Sequence, residues 1–158
     1  MDGPHEPSGK GVAALCPRVA KLSDDYHSFG ESVKEVQIVD EAGQPIPADD
    51  HERRFFEASW VHKRNDVYYF SYSTGDTHFL AYGTGSSPYG PFTYRGKILD
   101  PVLGWTTHHS IVEHEGRLWL FHHDCEVSKG VDHLRSAKVK ELWYDKDGLM
   151  VMEKPADQ

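Results

Sequence analysis

A carboxylate sits where a run of aromatic residues should hold none. Residues 55–60 read Phe-Phe-Glu-Ala-Ser-Trp, which puts Glu57 at the head of an apolar stretch. A carboxylate is costly among aromatic rings unless it is paired, and a carboxyl group so placed can serve as a general acid. Other groups able to do chemistry follow along the chain: Asp76 in Thr-Gly-Asp-Thr-His, the pairs His108-His109 and His122-His123, Asp124 and Arg135. The histidine pairs suggest a metal centre at first sight. Neighbouring residues of a strand point to opposite faces, so each pair offers only one imidazole to a given site. With neither His-x-His spacing nor a cysteine pair, the pattern does not make a zinc site. Cys16 and Cys125 form no metal or disulfide framework and read as two free thiols of a reducing compartment.

The elements that must position these groups come from a repeat. "SWVHKRNDVYYFSY" (59–72) aligns with "SIVEHEGRLWLFHH" (110–123), each a strand, a short polar turn and a second strand. Ser59 falls on Ser110, Val61 on Val112, Asn65 on Gly116, Tyr68 on Trp119 and Phe70 on Phe121, always 51 residues apart. "THFLAYGT" (77–84) then matches "DHLRSAKV" (132–139). "PFTYRGKIL" (91–99) and "ELWYDKDGL" (141–149) supply a fourth strand to each copy. The N-terminal part matches only the second half of such a unit, with "GVAALCPRVAKL" as third strand and "KEVQIVD" as fourth. "EAGQPIPADDHERR" (41–54) reads as an exposed connecting loop.

Four consecutive strands in about 50 residues, repeated, are the signature of a β-propeller blade; the alternative is an antiparallel sandwich with chance self-similarity. The expected fold is all-β, one domain over 1–158 built of four-stranded antiparallel blades: a partial blade at 11–40 and full blades at 55–99 and 105–152. Strands are expected near 58–63, 67–74, 78–84, 109–114, 117–123 and 133–139, with no long helix. In the repeat Glu57 falls on His108. Equivalent strand starts converge on a propeller's axis, so a carboxylate and an imidazole should face one axial pocket of the kind that takes a small ligand.

With 38% apolar and 27% charged residues among 158, the composition is globular. The net charge of −8 disfavours nucleic acid and anionic lipid as partners and leaves a neutral ligand such as a sugar. The apolar runs are too short to span a bilayer. The first twenty residues show no signal-peptide pattern, so a cytoplasmic location is expected.

"FFEASWVHKRNDVYYFSYSTGDTHF", "SSPYGPFTYRGKIL", "GWTTHHSIVEHEGRLWLFHHD" and "HLRSAKVKELWYDKDG" together resemble glycoside hydrolase family 43, from about Gly11 onward. The resemblance implies a five-bladed β-propeller, of which this chain carries about half, the C-terminal one. It implies a β-xylosidase or α-L-arabinofuranosidase that hydrolyses hemicellulose oligosaccharides with inversion, using a glutamic acid as general acid and an aspartate as base. By motif, Glu57 matches the acid, with Phe55, Phe56 and Trp60 as apolar surroundings expected to raise its pKa. Phe56, Trp60, His109 and Arg135 are expected to line the sugar site. His108 matches an axial histidine that in many members stands beside a calcium ion, so an optional calcium is expected there. The family's base aspartate lies on a blade this chain lacks; Asp76 and Asp124 are the base candidates on the blades it has. Two and a half blades cannot close a ring. A homodimer or higher oligomer is therefore expected, joined where blades are missing. The rival expectation is a carbohydrate-binding or structural half-propeller without catalysis.

Overall fold

The computed structural model describes residues 11–105 and 107–156, and within them there is no helix. Three short N-terminal strands, β1 (Arg18–Val19), β2 (Lys34–Glu35) and β3 (Ile38–Val39), precede two meanders. The first meander is β4 (Phe55–Arg64), β5 (Val67–Thr74), β6 (Leu80–Gly85) and β7 (Phe92–Leu99). The second is β8 (His109–His114), β9 (Arg117–Asp124), β10 (Ser136–Tyr144) and β11 (Met150–Val151). Within each meander all pairings are antiparallel, as expected of two blades.

The turns that open the blades explain their register. Asn65 and Asp66 have φ of 47° and 63°, Glu115 and Gly116 of 51° and 73°. Two successive left-handed residues make the two-residue hairpin turn that matches strand twist. Arg64 thus pairs with Val67, and His114 with Arg117. The copies are therefore offset by 50 residues at the hairpin tip, not the 51 read from the sequence. Val61 corresponds to Ile111 and Phe70 to Leu120, not to Val112 and Phe121. Bulges in β4 between Phe55 and Trp60 add one residue, so that Glu57, paired with Ser73, does correspond to His108.

The N-terminal part departs from expectation. β1 and β2 pair only with each other, while β3 joins β7 in parallel and makes the first blade five-stranded. The 41–54 segment is not wholly exposed: Ile46, Ala48 and Arg54 are buried. In the second blade the third strand continues through Tyr144, so residues 141–144 belong to it and the fourth strand is Met150–Val151. The turn between them is held by the Asp145 carboxylate, which accepts from the N–H groups of Asp147 and Leu149, both at 2.9 Å.

Two apolar clusters hold the molecule together. One joins Phe70, Tyr72, Ala81 and Phe92 to Val36, Ile38 and Ile46 of the N-terminal part. The other is the seam between blades, where Tyr69, Leu80, Tyr82 and Ile98 meet Ile111, Leu120, Leu142 and Met150. Several polar groups bond across the seam. Tyr69 donates to the Gly148 carbonyl, the Met150 N–H donates to Tyr82, and His62 shares a 2.7 Å hydrogen bond with Tyr144.

Candidate active site

Glu57 owes its position to the irregular head of β4. The next residue, Ala58, has φ of 61°, a left-handed conformation unusual for a residue with a Cβ. Bulges of this kind bend a strand and re-aim its side chains. Glu57 Oε1 lies 3.3 Å from His108 Nε2, and the two side chains are 24% and 53% exposed. The carboxyl is therefore held by protein yet reachable from solvent. The pair predicted from the repeat is adjacent in the structure.

A chain of polar contacts runs on from His108. Its backbone N–H donates to Nε2 of His123 at 3.0 Å, and the two rings stack with centroids 6.1 Å apart. Arg135 Nη1 lies 3.4 Å from the same His123 nitrogen. A nitrogen that accepts from an N–H carries no proton, so His123 is held as the Nδ1–H tautomer. Burial first, then the Arg135 guanidinium, push its pKa below the usual histidine range. Arg135 is further anchored by a 3.0 Å bond from Nε to the Asp132 carbonyl.

On the other side of Glu57 stands an aromatic group. His78 packs edge-on against buried Phe56 at 5.7 Å and against Trp105 at 5.0 Å. Burial lowers the His78 pKa, opposed by the charges of Asp76 and Glu57. Trp105 is 58% exposed, so much of its indole beside His78 is open to solvent. His78, Trp105 and His123 are site residues that the sequence reading passed over. His123 was within reach, since one member of each histidine pair had to face the pocket.

Other predicted residues lie elsewhere. Trp60 packs in the seam and donates from Nε1 to the Ile111 carbonyl at 3.1 Å. His109 also turns into the seam, 2.7 Å from Ser71 Oγ, and burial pushes its pKa down to about 3. Phe55 packs on Phe70 and Tyr72. Of the three aromatics expected around Glu57, only Phe56 is placed there, beneath His78 and 2% exposed. Strand alternation and the bulge explain these corrections, because they send the residues on either side of Glu57 to other faces. Asp76 is exposed and bonded to His51 Nδ1 at 2.6 Å, with Arg54 Nη2 at 3.5 Å. Asp124 is buried on the opposite face of β9 from His123, 3.2 Å from Lys138 Nζ. Among the described residues no three His, Cys, Asp or Glu side chains are grouped to hold a metal ion. At His108 the protein offers one imidazole and one carboxylate, far short of the six to eight oxygens calcium takes.

With this geometry in hand, the chain can be set beside known proteins. Residues 17–150 match the family model described as glycosyl hydrolases family 43. The chain is 71% identical over 154 residues to xylosidase/arabinosidase 43A of Humicola insolens, covering 97% of this chain and 47% of that protein. It is 60% identical over 144 residues to a β-xylosidase of Xylanibacter ruminicola, covering 91% of this chain and 44% of the other. Among solved structures it resembles a β-xylosidase/α-arabinofuranosidase from a compost microbial metagenome, crystallised with xylotriose in a calcium-free form. The TM-score is 0.86 at 60% identity, over 88% of this chain and 42% of that one. The chain thus spans less than half the length of each of these relatives.

Proposed function

The chain belongs to glycosyl hydrolase family 43, and on that premise we propose that it is the acid-bearing half of a glycosidase acting on xylosyl and arabinosyl linkages of hemicellulose oligosaccharides. The fold is about half of the family's five-bladed β-propeller. The observation that carries the reading is the Glu57–His108 pair, placed by equivalent strand starts of adjacent blades and open to solvent.

In the proposed reaction, protonated Glu57 gives its proton to the glycosidic oxygen as the bond to the anomeric carbon breaks. The sugar passes through an oxocarbenium-like state, and water attacks from the opposite face while a carboxylate base takes its proton. Inversion follows from that single displacement. Trp105 stacks on the apolar face of a sugar ring, and Arg135, steadied by Asp132, reaches its hydroxyls. Of the two base candidates, Asp76 is favoured over Asp124. Asp76 is exposed and acts on the same His78 that senses Glu57, whereas Asp124 is locked to Lys138. The base can also come from a second chain in a dimer or higher oligomer. A calcium ion near His108 remains an optional, mostly hydrated guest. A melting temperature indifferent to both calcium and chelator contradicts it.

A second reading has its own support. The chain spans less than half the length of its relatives, and on this reading it binds xylo-oligosaccharide without hydrolysing it. The test is turnover of nitrophenyl xyloside and nitrophenyl arabinofuranoside by the purified chain, with Glu57→Gln as control. Turnover lost in the variant supports hydrolysis; binding without turnover in either protein supports the second reading.

A further inference from the structure

A cleft of about 1000 Å³ lies away from Glu57, between the end of β7 with its following loop and the strands β9 to β11. His122, Asp124 and Lys138 line it, whereas Glu57, His108, His123 and Arg135 do not. Strand alternation separates the two sites: His123 faces one way along β9, and His122 and Asp124 the other.

His122 is the feature that asks for a ligand. It is 6% exposed, and neither ring nitrogen has a hydrogen-bond partner among the described residues. Buried polar atoms are nearly always paired, and leaving one unpaired is costly. Burial lowers its pKa and outweighs the His123 backbone and the Asp124 charge, which act the other way, so the ring is held neutral. A neutral imidazole has one donor and one acceptor. A hydroxyl group, itself donor and acceptor, satisfies either nitrogen, and two neighbouring hydroxyls satisfy both.

The rest of the cleft fits the same chemistry. Ile98, Leu99, Val102, Met150 and Met152 form an apolar floor. Four lysines line the cleft, Lys97, Lys138, Lys140 and Lys154, against five carboxylates, Asp100, Asp124, Glu126, Asp145 and Glu153. Lys138 is itself paired with Asp124 at 3.2 Å and Glu126 at 2.6 Å. The lining thus offers no net positive charge to an anion, and a purely apolar ligand would leave His122 unsatisfied. A pyranose or furanose presents hydroxyls at its edge and C–H bonds on its face. We propose that this cleft is a second, non-catalytic binding site for one neutral sugar unit, held by His122 against the floor of Met150 and Met152. The site does not depend on the role given to Glu57.

The test is D-xylose titration of the full chain labelled with carbon-13 at the methionine methyls and nitrogen-15 in histidine. The Met150, Met152 and His122 signals should shift and saturate with a Kd on the order of 1 mM, the usual weakness of a one-sugar contact. They should do so equally in Glu57→Gln protein. His122→Phe should weaken the response at least tenfold. Met152→Trp, which fills the cleft from its floor and keeps His122, should do the same if the phenylalanine variant does not fold. Inorganic phosphate should leave these signals unmoved. Shifts confined to His78, His108 and His123, an undiminished response in the filled variant, or saturation by phosphate instead of xylose would each overturn the site.

Discussion

At the scale of single residues, the site depends on what the head of β4 does to Glu57. The carboxylate stood out in the sequence because its neighbours are aromatic, and the repeat named His108 as its counterpart. Both features are chemical and local, so both were legible. The expected setting was not. Trp60 and Phe55 turn away because a bulge and strand alternation decide direction, and neither is written in composition. Trp105 and His78 lie in irregular segments, where no periodicity points to a face. Trp105 now carries a prediction. If, as proposed, its exposed indole meets the substrate away from the scissile bond, Trp105→Ala should raise KM for a xyloside about two- to tenfold with little change in kcat, the size of one aromatic contact. A loss confined to kcat would remove Trp105 from the binding surface.

At the scale of elements, the repeat was legible but its register was slipped by one. Aligning identical letters paired Phe70 with Phe121, yet Phe70 is 3% and Phe121 45% exposed. A one-residue slip moves every side chain to the other face of a sheet. The turn residues fix the true offset, since Asp66 and Gly116 are the second left-handed residues of their hairpins. The same letter matching split β10 in two and hid the real fourth strand beyond Gly148. The seam these strands build makes stability depend on pH. Burial pushes His62 down to about 4 and His109 to about 3, against about 6.5 in an unfolded chain. Below pH 6.5 the unfolded chain takes up protons that the folded seam refuses. Stability from these groups is thus full above pH 6.5 and falls as pH drops towards 4, by at most about 1.4 kcal/mol per histidine per pH unit. Melting curves between pH 7.5 and 4.5 should show this decline, and it should be shallower in His62→Phe. A melting temperature that rises over this acid range contradicts the seam as described.

At the scale of the whole molecule, one blade face has no neighbour among the described residues. Val112, Phe121 and Val139 share the face of the second blade turned away from the seam, and they are 41%, 45% and 52% exposed. Trp119 stands on the same face, opposite Val112. A ring of five blades would cover it. Burying about 400 Å² of such surface contributes on the order of 10 kcal/mol, comparable with the stability of a small domain. A chain offering this face on its own should associate through it. Sedimentation equilibrium should give a dimer or larger species at micromolar concentration, and Phe121→Ser should shift it towards monomer. A compact monomer of the unaltered chain contradicts the association. If the catalytic base is supplied across that contact, activity per chain must rise with protein concentration. The measurement that tests the central claim most directly is therefore made at concentrations where assembly is complete. Proton NMR of xylobiose hydrolysis would follow the anomeric signals of the released sugar in the first minutes. The account predicts α-xylose as the first product from the β-linked substrate, with turnover reduced about 10²- to 10⁴-fold in Glu57→Gln. β-Xylose appearing first, or undiminished turnover in that variant, would contradict it.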